Sequence, residues 1–178
     1  MAISPTKIYF FNLFVKICPP TRCNTLKVKL LKWAGARVGR NVQLFSPKIL
    51  GNFELIIGDN CFIGHDSFIM GCDGSKIEMK PFSKLGSKTI LVTGYHDYNP
   101  KYDCVAGPGL KADITIEEGA CISTNSMICP GKKVGKKAHV AACSVVTHDV
   151  PPYTRVAGVP ARVIKEWSIA PETENLHL

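Results

Sequence analysis

An aliphatic residue recurs every six positions from Ile116 onward, at Ile116, Ile122, Ile128, Val134, Val140 and Val146. Hydrophobic residues make up 46% of the chain, so an unbroken run without a phase error marks an internal repeat rather than a chance alignment. A period of six suits neither an α-helix nor a strand that continues straight. It suits a short strand, a corner and another short strand. Three such faces close a coil of about eighteen residues, and coils stacked at the sheet spacing of ~4.8 Å build a triangular prism with the aliphatic positions inside. Four residues after each aliphatic position stand Ala120, Ser126, Lys132, Ala138, Ser144 and Val150, small in all but one case, as a tight corner requires.

The same signature runs upstream with less regularity. Ile57, Ile63 and Ile69 keep the step, Met79, Leu85 and Leu91 resume it after a break, and Val38-Gly39-Arg40-Asn41-Val42 starts it in another phase. The repeat therefore predicts a prism over residues 38–152, interrupted briefly near Asp73–Ile77 and again over about 97–113. Asn99-Pro100 and Gly107-Pro108-Gly109 mark the second break as an extruded loop, and a long loop within a compact domain is usually functional. Residues 153–178 form a closing segment and tail; after Trp167 periodicity is lost, and mobility is expected there.

Residues 1–37 form a separate, basic segment. The first fifty residues hold nine of the 22 Lys and Arg and none of the 14 Asp and Glu, so the rest of the chain is close to neutral. An apolar run, Ile8–Ile17, ends at Pro19-Pro20, and Lys27–Trp33 reads as a short basic amphipathic helix. The run is shorter than the ~20 residues of a membrane span, and no convincing cleavage site follows it. Two readings stand: helices that cap the open end of the prism and pack on a neighbouring subunit, or a peripheral attachment to anionic membrane. No aromatic stacking motif accompanies the charge, which weighs against nucleic acid. The eight cysteines include no Cys-x-x-Cys pair and are expected to be reduced, packed thiols in a cytoplasmic protein.

The repeat and its ending, Ser144-Val145-Val146-Thr147-His148-Asp149-Val150-Pro151-Pro152 followed by Val156-Ala157-Gly158-Val159-Pro160-Ala161-Arg162, resemble the hexapeptide-repeat acyltransferases. The resemblance covers about three quarters of the chain. It implies an all-β fold, a left-handed parallel β-helix, and the handedness comes from the family alone, since parallel crossovers are otherwise right-handed. It also implies a homotrimer with sites between subunits and acetyl-CoA as acyl donor, with no metal.

In the sugar-modifying branch of that family, a histidine placed before the extruded loop is the general base, which makes His96 the catalytic candidate. An imidazole titrates near neutrality, so its neutral form can accept the proton of an attacking hydroxyl. The partner of its second nitrogen stays open among Asp97, Asp103, Asp113 and a backbone carbonyl. Tyr95, Asp97, Tyr98 and Asn99 are candidates for contact with the acceptor. The family's coenzyme A contacts carry over to Thr124, Ala142, Thr147, His148, Arg162 and Lys165, the last two suited to phosphate oxygens. Cys121 stands where the family usually has Trp, Ser123 where it has Gly and His148 where it has Lys. The oxyanion donor is a backbone N–H near Ser123 or Ala142.

A segment from Gly64-His65 to Cys72 also looks like the zinc-binding stretch of carbonic anhydrases with this fold. Met70 stands where the second histidine ligand belongs, and a thioether is a poor substitute, so His65 reads as a structural or groove-lining residue. A catalytically silent trimeric scaffold is the remaining alternative. The short basic N-terminus lacks the long helical domain of serine acetyltransferases and the α/β domain of nucleotide-sugar N-acetyltransferases. The expected activity is O-acetylation of a sugar or polysaccharide precursor, with the protein in the cytoplasm or at the inner face of its membrane.

Overall fold

The computed structural model describes residues 2–168; Met1 and residues 169–178, which include the tail expected to be mobile, lie outside the described residues. Two helices, α1 (Pro5–Ile17) and α2 (Asn24–Trp33), precede a β-solenoid of about 6 turns that matches the left-handed β-helix fold. Strands are numbered along the chain. One face of the prism is a parallel sheet in the order β1 (Arg37–Val38), β3 (Glu54–Ile57), β5 (Lys76–Met79), β10 (Ile114–Ile116) and β13 (Lys133–Val134). The second stacks β6 (Lys84–Leu85), β11 (Cys121–Ile122), β14 (His139–Val140) and β16 (Thr154–Gly158). The third stacks β7 (Ile90–Val92), β12 (Met127–Ile128) and β15 (Val145–Val146). Long strands β2 (Gln43–Gly51) and β4 (Phe62–Gly71) turn the corner between these last two faces, β4 pairing with β6 at Ile63 and with β7 at Ile69.

The six-residue column is the core. Ile116, Ile122, Ile128, Val134 and Val140 are wholly buried, as are Met79, Leu85 and Leu91 from the earlier coils. Parallel register sets Ile122 against Val140, one coil of eighteen residues, and Ile57 against Met79, a coil lengthened by the turn at Cys72–Ser75. That turn is the short interruption seen in the sequence.

The corners lie one residue earlier than the small side chains suggest. Gly119, Asn125, Gly131, Lys137 and Cys143, three residues after each aliphatic position, take φ between +50° and +75°. A side chain in this region costs on the order of 1 kcal/mol, which Gly avoids and Asn tolerates best. The following residue then points inward and is small at Ala120, Ser126, Ala138 and Ser144, while Lys132 stays half-exposed instead. Ser126 fits because its hydroxyl donates to the Ala141 carbonyl (2.9 Å), and Ser67 does likewise at Gly86 (3.0 Å).

The prism extends past residue 152, because Val156 on β16 stacks on Val140 as a final buried position. β17 (Ala161–Glu166) then folds back antiparallel on β16. At the other end the two helices lie over β2. Asn12 donates to the Ile49 carbonyl (2.7 Å) and accepts from the Ile49 N–H (3.0 Å), while Asn24 does the same between Val42 O (2.9 Å) and Leu44 N (2.8 Å). Lys27, which the sequence places on a basic amphipathic helix, is instead fully buried, its Nζ donating to the carbonyls of Phe45 (2.6 Å), Pro20 (2.5 Å) and Pro19 (3.2 Å). Burial pushes its pKa below the ordinary lysine value. These three side chains satisfy the backbone groups of a strand edge that would otherwise be left unpaired.

Ile128→Lys should leave an unpaired charge in the column and destabilise the fold by several kcal/mol, read as a fall in the denaturant midpoint. Lys27→Met keeps the volume but strands three carbonyls; a loss of about 1–3 kcal/mol is expected by the same measurement, with amide exchange accelerated first in α2.

Candidate active site

Where the repeat breaks at residue 94, the chain forms a hairpin rather than an irregular loop. β8 (Gly94–Tyr98) and β9 (Ala106–Lys111) pair antiparallel, with Tyr95 opposite Leu110 and His96 opposite Gly109. The Ala112 N–H donates to Thr93 O at the hairpin's base (2.9 Å), so the excursion closes before β10 resumes the prism.

His96 sits on β8, exposed, with Nδ1 2.8 Å from the Gly107 carbonyl. A carbonyl only accepts, so in the neutral ring Nδ1 carries the proton and Nε2 the lone pair. This is the backbone carbonyl among the partners the sequence left open. Asp97 instead accepts a hydrogen bond from the Tyr102 hydroxyl (2.9 Å), and Asp113 accepts from the Lys76 N–H (2.7 Å). Tyr102 lies over Gly107 so closely that a Cβ there would come within 2.2 Å of its ring. The glycine thus lets the tyrosine pack against the strand that holds the imidazole. In the sequence Gly107 reads only as a loop breaker and Tyr102 goes unmarked; a glycine five residues after an exposed aromatic, within the break, is the available signal.

Of the other hairpin candidates, Tyr95 and Tyr98 are exposed on β8. Asn99 is committed to the turn, accepting from the Lys101 N–H (3.0 Å) through its side chain and donating its own N–H to Val105 O (3.0 Å).

Thr124 and Ala142 stack one coil apart at the corner between the second and third faces, where the Cys143 N–H donates to Thr124 O (3.1 Å). The column is tight: a Cβ on Gly86 would meet Thr124 N at 2.7 Å. Beside it, Ser123 Oγ lies 2.8 Å from His139 Nε2, and burial followed by the Arg155 guanidinium holds His139 below the usual histidine pKa. The Ser123 N–H is spent on Val140 O (2.9 Å).

Thr147 and His148 occupy the next corner, hydrogen bonded to each other at 3.0 Å. His148 and Arg162 are brought together at the C-terminal end, lining a cavity of about 320 Å³ with Val146, Val150 and Val156. Lys165 pairs with Arg155 across β16 and β17, so Arg155, Arg162 and Lys165 make a cationic strip. Arg155 was not singled out in the sequence because it falls outside the motif. The strip suits a polyphosphate, since it offers two guanidinium forks and an ammonium group on adjacent strands.

The hairpin leaves the prism after β7, at the edge of the third face that also carries Thr147, whereas Thr124 and Ala142 border the opposite edge of that face. Among the described residues no group of three or more His, Cys, Asp or Glu is placed to hold a metal ion. His65 is engaged by Ser46 Oγ at Nδ1 and by Asp66 at Nε2 (3.1 Å).

No family model matches the chain. It is 30% identical over 140 residues to WcaF of Escherichia coli (strain K12), named as a colanic acid biosynthesis acetyltransferase, a match covering 77% of this chain and 72% of that protein. It is 44% identical over 71 residues to a 2,3,4,5-tetrahydropyridine-2,6-dicarboxylate N-acetyltransferase of Staphylococcus aureus (strain bovine RF122 / ET3-1); that match covers 40% of this chain and spans only 30% of that enzyme. Among solved structures, a hexapeptide-repeat acetyltransferase of Vibrio cholerae O1 biovar eltor in complex with acetyl-coenzyme A superposes with a TM-score of 0.65 at 23% identity, covering 91% of this chain and 86% of that one.

The Gly107 contact predicts the His96 tautomer. Nitrogen-15 NMR of the neutral imidazole should show Nδ1 protonated, and Gly107→Ala, by displacing Tyr102, should shift the population toward a mixture of the two forms.

Proposed function

The chain belongs to the hexapeptide-repeat acetyltransferase family, and from that premise we propose that it moves an acetyl group from acetyl-coenzyme A to a hydroxyl of a sugar or glycan precursor, with His96 as general base. The observation that carries the reading is the Nδ1 contact to Gly107 O, which leaves Nε2 able to take a proton. Acetyl-coenzyme A, when bound, supplies an activated acetyl thioester. His96 Nε2 accepts the acceptor hydroxyl's proton as the oxygen attacks the thioester carbon, then returns it to the sulfur as the C–S bond breaks. General base action of this kind is worth about 10²–10⁴-fold.

Arg155, Arg162 and Lys165 would hold the phosphates, and the corner of Thr124 and Ala142 would guide the chain leading to the thioester. With the Ser123 N–H committed to the ladder, the Ala142 N–H is the oxyanion donor of the two considered. Ser123 and its contact with His139 crowd the same groove, where a glycine would leave room. Tyr95 and Tyr98 offer ring faces to a sugar. Asp97 serves indirectly, through Tyr102.

Separation of His96 from Thr124 and Ala142 across the third face supports a site completed by a second copy, His96 of one chain facing the groove of the next in a homotrimer. The glycan class of acceptor is inferred from the likeness to WcaF, a protein named for colanic acid biosynthesis.

Thiol release from acetyl-coenzyme A should be detected against a panel of sugars and nucleotide sugars, and His96→Ala should cut it by about 10²–10⁴-fold while calorimetric coenzyme A binding is unchanged. Undiminished turnover in the variant would place the base elsewhere. Absence of coenzyme A binding by the native protein would favour a silent scaffold.

A further inference from the structure

Helix α1 is apolar on two opposite faces. Ile8, Phe11 and Val15 are buried against the prism, while Tyr9 (65% exposed), Phe10 (52%), Leu13 (44%) and Ile17 (77%) face outward. At 3.6 residues per turn these four fall within an arc of roughly 100°. Lys16 borders the arc on one side and Lys7 on the other, the latter with Nζ 5.0 Å above the ring of Trp33, itself half exposed on α2. A helix apolar all round is ordinarily buried on every side, so this outer stripe calls for a second apolar partner.

Charge selects that partner. The first fifty residues contain no Asp or Glu, and apart from Lys27, which is spent inside the cap, and Arg37 and Arg40, which pair with Glu54 and Asp59, their Lys and Arg are available at the surface. Lys16 and Lys48 line a cavity of about 660 Å³ that opens between α1, β2 and β4, where Asp66 offsets one of the two lysines and leaves the lining net positive beside the stripe. A second copy of α1 laid against the stripe would bring lysines toward lysines. An anionic bilayer instead offers hydrocarbon to the stripe, a headgroup zone to the tyrosine and tryptophan rings, and negative charge to the flanking lysines. The helix has 13 residues, about 20 Å at ~1.5 Å each, too short to cross ~30 Å of hydrocarbon, and no described helix is long and apolar enough to do so.

We propose that the outer face of α1 is a docking surface for anionic membrane, with the helix lying in the interface plane and the prism standing clear of it. The surface is independent of His96 and of the acetyl-transfer reading, so the two stand or fall separately.

The test is flotation of the full chain with vesicles of phosphatidylcholine alone and of phosphatidylcholine with phosphatidylglycerol. Light scattering reports the oligomeric state throughout. Flotation with the anionic vesicles only, weakened by salt, is expected. Lys16→Ala should weaken it about fivefold, and Leu13→Ser with Ile17→Ser should abolish it with melting temperature and oligomeric state unchanged. If the native protein ignores anionic vesicles, the proposal fails. It fails equally if the Leu13 and Ile17 changes break the oligomer, because the stripe would then be covered by a second copy of the chain.

Discussion

Every feature of this molecule depends on the hydrogen-bond ladder between successive coils. A strand of two residues, such as β11 or β14, has no stability of its own, and it forms because the coil on either side supplies backbone partners and a layer of buried aliphatic side chains. The Ile122 to Val140 column and the ladder are one device seen from two directions: side chains fill the axis while N–H and C=O groups run along it. Strained corners persist for the same reason. Lys137 and Cys143 hold a left-handed backbone because the stacked coils fix the residues before and after them.

A ladder of this kind has two ends, and each requires its own solution. At the N-terminal end, Asn12, Asn24 and Lys27 give polar side-chain partners to the backbone of β2, and the inner face of α1 covers the exposed layer of the core. At the C-terminal end, β17 turns back antiparallel on β16, so the last coil ends in a pairing that no further coil can extend. The two caps differ in chemistry. The first carries an exposed apolar stripe, while the second gathers Arg155, Arg162 and Lys165, so the chain is polarised along the prism axis.

At the hairpin the chain leaves the stack for two antiparallel strands, and His96, the residue proposed as base, sits there. A histidine within the ladder is confined by its neighbours, as His139 is by Ser123 and Arg155. On an excursion of two antiparallel strands, His96 stays exposed while a backbone carbonyl still fixes its tautomer. The prism fixes the corners and grooves, and the hairpin carries the imidazole proposed to accept a proton.

Periodicity made the column legible from Met79 to Val146, because burial on one axis forces the same residue class at every sixth position. It also showed a lost phase, read as a break at about 97–113, whereas the chain leaves the stack at Gly94 and resumes it at Ile114. What lay in the break was not legible: antiparallel pairing of Gly94–Tyr98 with Ala106–Lys111 repeats nothing. The family resemblance made His96 the candidate, but its partner could not be named, as a carbonyl has no side-chain signature and Gly107 read only as a turn residue. Lys27 was misplaced for a related reason. Its helical pattern is that of a surface lysine, and only the unpaired carbonyls of Phe45, Pro19 and Pro20 explain its burial. The repeating core could thus be read from the chain alone, since each of its residues answers to a local period. Tertiary structure alone decided the ends, the hairpin and the hydrogen bonds of the site, where groups far apart in the chain meet and no period records the meeting.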